Sequence, residues 1–424
     1  MKKNKIVISI IISIGVILTV VALILNLTSK KEEAISKDTI KNYYNKIFTF
    51  SIKDPLEVSN LFREDGVYKI NTNTEYNENN NPINVKGNIY YDDKKIYSVL
   101  NATYKEEPFE FIGLLEDGRL YFNLDKISEK YYYKDLDLDN DYLTIDETKE
   151  LSNISFDILM DNLDNKTVET DKDNSHVLKQ KNRTIDLEKN SISLTGKEKN
   201  IIYDKIIDAV KESDKFKESS KKKIIDKLSI SKATVSEEDE VGLLIELYQN
   251  NNEIVTANII DQNESTRLYF EIYKTESDKE YLTIEYYKKD KKEYGLNITK
   301  VSARETTISI FYNNEYEINS KMTTANNVVQ LNSSIRKIKE YDKVDIGTVN
   351  IEFGMIEYQK EYSLNIKCDI DSDKKLKIDS ENKIYLDQLP PEYNIDTANI
   401  KSMDKMTPQE KLEVIKYFGL ELFK

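Results

Sequence analysis

A chain of 424 residues with a formal net charge of −14, one cysteine, one histidine and no tryptophan excludes several classes at once. The acidity argues against binding nucleic acid through its phosphates; lone Cys368 allows no intrachain disulfide; and lone His176 speaks against most zinc sites and against a Ser-His-Asp triad. A hydrophobic content of 39%, with 29 Tyr and 13 Phe against 11 Gly and 6 Pro, suffices for a core and argues against a low-complexity or disordered chain, and the length suits two or three domains.

Residues 6–25 form an uninterrupted apolar or small run, from Ile6 through Gly15 to Leu25. As a helix it spans roughly 30 Å, the thickness of a bilayer's hydrocarbon core. Lys2, Lys3 and Lys5 precede it, while Lys30 and Lys31 are offset by Glu32 and Glu33. The basic flank predicts a cytoplasmic N-terminus, a single-pass signal-anchor and a long extracytoplasmic remainder, with the lipid bilayer as partner of residues 6–25. Asn26-Leu27-Thr28-Ser29 offers no A-x-A-like cleavage site, and no lipobox cysteine follows the run.

In chain order, a helix is expected over 38–50, capped by Asp38, and then strands over 66–124. Hairpin turns fall at Asp92-Asp93-Lys94-Lys95 and at Glu116-Asp117-Gly118. A helix over 147–163 carries Leu151, Ile154, Ile158 and Leu163, and a hairpin follows around His176 and 185–194. Thr195-Gly196-Lys197-Glu198 reads as a capping box opening a helix with Ile202, Ile206, Ile207 and Val210. A Lys-rich helix covers 215–228, and polar 231–240 is the expected boundary. Beyond it the period is two: Leu268, Phe270 and Ile272 share a face, as do Leu282, Ile284 and Tyr286, and Ile308, Ile310 and Tyr312. Turns at Asn250-Asn251-Asn252, Lys289-Asp290-Lys291 and Asn313-Asn314 make this an antiparallel meander. A final helix starts at Thr407-Pro408, with Glu410 completing a second box. The expected fold class is α+β: an N-terminal transmembrane helix (1–29), then two extracytoplasmic domains (30–230 and 231–424) of curved antiparallel sheets packed against helices.

Chemical motifs are sparse. Asp135, Asp137, Asp139, Asp141 and Asp146 keep a calcium-loop spacing, but Asn140 stands where such loops need Gly and Asp146 where they use Glu. Alternation with Leu136 and Leu138 reads equally as an edge strand with a wet face. Asp369, Asp371 and Asp373 are a weaker echo. Asp173-Asn174-Ser175 makes His176 a loop histidine, Cys368 reads as a buried strand thiol, and Tyr131-Tyr132-Tyr133 and Tyr286-Tyr287 read as alternating in-and-out strand positions. No Gly-rich phosphate loop is present. No residue is singled out as catalytic, cofactor-binding or metal-ligating.

The apolar run followed by helix-closed meanders resembles uncharacterised membrane-anchored envelope proteins of AT-rich Gram-positive bacteria. More distantly it resembles lipoprotein carriers of the LolA type, whose curled sheet holds a lipid chain; the resemblance rests on element order and transfers no residue. The expected function is non-enzymatic binding of an apolar ligand or an envelope protein on a curved sheet. The alternative is a hydrolase built on two carboxylates in one cleft.

Overall fold

The computed structural model describes Tyr43 and most of residues 66–412; residues 1–42, 44–65 and 413–424 lie outside the described residues, as do short interior stretches including 125–130, 136–142, 164–167 and 392–399. The chain forms two compact units. A meander unit takes the described residues of 53–138, 304–306 and 318–412. A helix-backed unit takes those of 139–303 and 307–317, with Tyr43.

The meander unit begins with β1 (Val67–Glu78), β2 (Asn81–Asp92), β3 (Lys95–Tyr104), β4 (Glu107–Glu116), β5 (Arg119–Leu124) and β6 (Tyr132–Asp135), each antiparallel to the next. The β1–β2 turn is two residues long, and Asn79 and Asn80 both have positive φ, 51° and 65°. That is the hairpin turn whose twist matches the strands, and Asn tolerates it. Alternation then sorts the faces. Ala102, Phe109, Phe122, Leu124 and Tyr132 are buried together, with Val85, Phe111 and Leu120 against them. Gly87 marks a close approach: a Cβ there would stand 2.1 Å from the Val99 carbonyl oxygen. Only a glycine lets β2 and β3 come that near.

In the helix-backed unit, α1 (Ile145–Leu163) precedes β7 (Glu169–Leu178), β8 (Arg183–Thr195), α2 (Gly196–Glu212), α3 (Glu218–Ile230), β9 (Val241–Asn250), β10 (Glu253–Asp261), β11 (Thr266–Lys274), β12 (Glu280–Lys288) and β13 (Lys291–Ser302). The strands run antiparallel in chain order from β7 to β13. One sheet face meets the helices: Ile192, Ile245, Leu247, Ala257, Leu268 and Phe270 are buried with Leu151, Ile202, Ile206, Val210, Ile224 and Leu228. The capping box starts α2 as expected, the Glu198 N–H donating to Thr195 Oγ1 (3.3 Å) and the Thr195 N–H to Glu198 Oε2 (3.0 Å). No side chain of its own caps α3; instead buried Glu147 on α1 accepts from the Lys217 N–H at 2.9 Å. Lys199, 1% exposed, fills its three donors on Asp261 Oδ1 and Oδ2 (3.0 and 3.1 Å) and Asn263 Oδ1 (2.9 Å).

Strands β14 (Glu305–Tyr312) and β15 (Tyr316–Ala325) contribute residues to both units. The meander unit resumes with β16 (Val328–Lys339), β17 (Asp342–Glu357), β18 (Glu361–Asp371) and β19 (Lys375–Leu386). β19 then pairs with β1, some three hundred residues earlier, over eleven positions. The result is a sheet ordered β16-β17-β18-β19-β1-β2-β3-β4-β5-β6. Short β20 (Lys401–Ser402) adds to β6 in parallel. Phe353, Tyr362 and Ile384 continue the apolar face. The second capping box is present: Glu410 accepts from the Thr407 N–H at 2.6 Å, from Tyr132 Oη and from Lys401 Nζ, both at 2.9 Å.

Four expectations need correction. The α+β class gives way to a strand-dominated chain, because period-two alternation holds almost throughout. Among the described residues the three long helices are confined to 145–230 and back one sheet only. The expected boundary at 231–240 falls inside a unit, because α2 and α3 are an insertion between paired neighbours, β8 and β9. The transmembrane-helix architecture is not what the structure shows: among the described residues no helix is long and apolar enough to cross a membrane. The single-pass, extracellular placement is withdrawn with it, because the run at 6–25 on which it rested, and its bilayer contact, lie outside the described residues.

Candidate functional site

Each sheet has a polar face, and the two are built from the same kind of row. In the meander unit, cross-strand register lines up Glu381, Asn73, Lys86, Asn101 and Glu110 over β19, β1, β2, β3 and β4. The neighbouring row is Asp379, Glu75, Asn84, Thr103 and Pro108. Residues two apart on a strand share a face, so both rows stand on the side opposite the apolar face. Together they line an open concavity of about 800 Å³. Asp379 has a partner, Lys367 at 3.3 Å. Glu75, Glu381 and Lys86 make no ion pair among the described residues. Four carboxylates and one ammonium leave the lining with a surplus of negative charge.

In the helix-backed unit the corresponding face is buried. Glu271 is 1% exposed and Glu285 5%. Each has a tyrosine two residues along its own strand: Tyr269 Oη donates to Glu271 Oε2 at 2.5 Å, and Tyr287 Oη to Glu285 Oε2 at 2.6 Å. Tyr248 repeats the pattern on Glu246 at 3.4 Å, and Lys189 completes that carboxylate at 2.5 Å. Burial, then the nearby carboxylate, pushes the Tyr269 hydroxyl far above the usual phenol range, and burial with the Glu285 hydrogen bond does the same for Tyr287. Burial works against the Lys189 ammonium, but the Glu246 contact outweighs it and the net shift is upward.

His176 lies on strand β7, not in a loop, with its ring 4.6 Å from that of Tyr248 and its Nε2 3.3 Å from Tyr269 Oη. Asp135 ends β6 and pairs with Arg119 Nε at 2.5 Å, and Asp146 lies in α1; Asp137, Asp139 and Asp141 lie outside the described residues. A strand end and a helix start thus occupy the two ends of the calcium-loop spacing, and the described residues hold no cluster of metal-ligating groups. Asp369 and Asp371 are paired with Lys377 and Lys375 across the β18–β19 hairpin. Tyr132 and Tyr286 face the apolar side, their neighbours Tyr133 and Tyr287 the polar one, and Cys368 is a buried strand thiol. The sequence reading missed the polar rows, although Glu246-x-Tyr248, Tyr269-x-Glu271 and Glu285-x-Tyr287 are visible as a repeated spacing of two.

No family model and no curated protein matches the chain. Among solved structures, Pseudomonas aeruginosa OccK5 (OpdH) is similar at 6% identity and a TM-score of 0.25, covering 77% of this chain and 98% of its own. The translocator domain of the autotransporter NalP from Neisseria meningitidis is similar at 6% identity and a TM-score of 0.20, covering 82% of this chain and 96% of its own. At such scores the likeness supports no functional argument.

Proposed function

We propose that the chain is a non-enzymatic binding protein that takes a small polar cation, such as an oligoamine, in the concavity of the meander unit. The observation that carries this reading is the concavity itself: about 800 Å³, lined by three asparagines and by Glu75, Glu381 and Lys86, which have no ion-pair partner among the described residues. Ligand pockets are of this size, and the carboxylate surplus selects charge sign. The polar lining disfavours the apolar ligand expected from sequence. A hydrolase is disfavoured too: Glu75 and Asp379 are direct cross-strand partners, but both stand in solvent without the apolar enclosure a general acid needs.

The test is thermal unfolding with spermidine, glutamate and a neutral trisaccharide as probes. Spermidine alone should raise the midpoint, because a ligand that binds only the native state stabilises it. Salt should weaken the effect. Glu75→Gln or Glu381→Gln should each weaken binding by a factor of about 1.4 to 5, as solvent-exposed charge pairs contribute only about 0.2–1 kcal/mol. Asn84→Trp, which fills the concavity, should abolish it. No shift with any probe, or a spermidine shift that survives Asn84→Trp, overturns the reading.

A further inference from the structure

In the sheet of the helix-backed unit β7 and β11 are separated by three strands, β8, β9 and β10. In a flat sheet four spacings would put them roughly 19 Å apart. Yet His176 on β7 reaches the hydroxyl of Tyr269 on β11 at 3.3 Å. The β7–β8 hairpin therefore curls back over the polar face. Irregularities in register at Asp171/Asn174 and at Ile254/Thr256 supply the bends. Leu178, Leu187, Tyr248 and Val255 close the seam beneath it.

The hydrogen-bond directions at this seam follow from chemistry. An ionised Glu271 only accepts, so Tyr269 spends its proton on Glu271 at 2.5 Å. The Tyr269 oxygen then accepts, and His176 Nε2 must carry a hydrogen. Protonation of the ring keeps that donor and makes the bond charge-assisted. It also sets a cation against the face of Tyr248, 4.6 Å away, and one tyrosine from a buried carboxylate.

We propose that His176, Tyr269 and Glu271 form a pH-sensitive latch that fastens the β7–β8 hairpin over the polar face. Among the described residues the charged groups around it include Glu271 on β11, Glu246 on β9, Lys189 on β8 and Asp171 on β7; Lys189 is held by Glu246 at 2.5 Å and also feels Asp171, and the carboxylate hydrogen-bonded within the latch is Glu271. The uncharged titratable neighbours are Tyr248, Tyr269 and Tyr43, whose hydroxyl donates to the Val255 carbonyl at 3.3 Å. Protonation takes one proton from solution onto the ring, and the Nε2 hydrogen on Tyr269 stays in place. The latch is closed while the ring is charged and loosens when the ring is neutral.

One histidine in the chain makes the test direct. In the full chain, the imidazole signals of His176 are titrated by NMR beside the backbone amides of Val177 and Leu178. The amide signals should move with the midpoint of the ring. Hydrogen exchange of those amides, corrected for intrinsic rate, should be roughly tenfold slower at pH 5.5 than at pH 8. His176→Gln should remove that difference, and Tyr269→Phe should reduce it. Amides indifferent to the ring's titration in the wild type overturn the proposal, as does an unchanged pH dependence in His176→Gln.

Discussion

Two polar faces, drawn from the same alternation of Asp, Glu, Asn, Lys and Tyr, meet opposite fates. The helix-backed unit encloses its face, and the carboxylates buried there, Glu271 and Glu285, each have a tyrosine donor. The meander unit leaves its face in solvent, and there Glu75, Glu381 and Lys86 stand without ion pairs among the described residues. Enclosure decides the difference. A buried carboxylate without donors would cost several kcal/mol, so donors must be built in. An exposed one is satisfied by water and stays available to a ligand.

The same rule of enclosure is sharpest for two lysines, Lys199 buried on α2 at the helix side of its sheet and Lys86 on the wet face of the meander unit. Lys199→Met should destabilise the protein by about 3 kcal/mol, since it strips a buried ion pair of one partner. Lys86→Met should change stability by less than about 0.5 kcal/mol. Urea unfolding followed by circular dichroism measures both, and equal effects would erase the distinction between enclosed and solvated charge. Tyrosines come next. Tyr269→Phe takes one donor from Glu271 and should cost about 1–3 kcal/mol. Tyr76→Phe, where the hydroxyl meets half-exposed Glu78 at 3.0 Å, should cost under about 1 kcal/mol in the same assay.

Backbone proximity offers a third comparison. Gly87→Ala forces β2 and β3 apart against a 2.1 Å contact and should cost about 1–3 kcal/mol. At Gly295 the nearest atom would lie 3.5 Å from a new Cβ, so Gly295→Ala should be neutral or stabilising by up to about 1 kcal/mol. The smallest expected effect concerns acid. The Thr407 N–H, then Lys401 and Tyr132, hold the Glu410 carboxyl down at about 2. Its folded value lies below the unfolded one of about 4.3, so its contribution is present above that pH and is lost as pH falls toward 2. Hydrogen exchange at Met406 should therefore accelerate, after correction, between pH 4.5 and pH 2. Glu410→Gln should flatten that response.

Local signals were legible in the sequence and long-range ones were not. Asp117-Gly118 announced the β4–β5 hairpin, Thr195 with Glu198 the start of α2, and Leu268, Phe270 and Ile272 the buried face of β11. Each depends on residues within a few positions of one another. The pairing of β19 with β1 has no such signature, and half of the concavity hangs on it: Glu75 meets Asp379 only through that register. Its other half was within reach. The turn at Asn79-Asn80 sets Glu78 opposite Asn81, and counting back puts Asn73 beside Lys86. His176 misled because Asp173, Asn174 and Ser175 look like turn residues, whereas they sit beside the bulge that bends β7.

The two-residue turns carry a consequence for how such a chain can evolve. Lys288 faces Lys291 across Lys289-Asp290 as tightly as Glu78 faces Asn81 across Asn79-Asn80. One residue inserted into a strand beside such a turn would carry every later side chain of that strand to the opposite face, sending Lys86 and Asn84 inward and Val85 out. Length changes within these strands are therefore tolerated in steps of two, while point substitutions on the wet face are nearly free. As far as stability is concerned, the chemistry of the concavity is free to change, while the spacing that builds it is not.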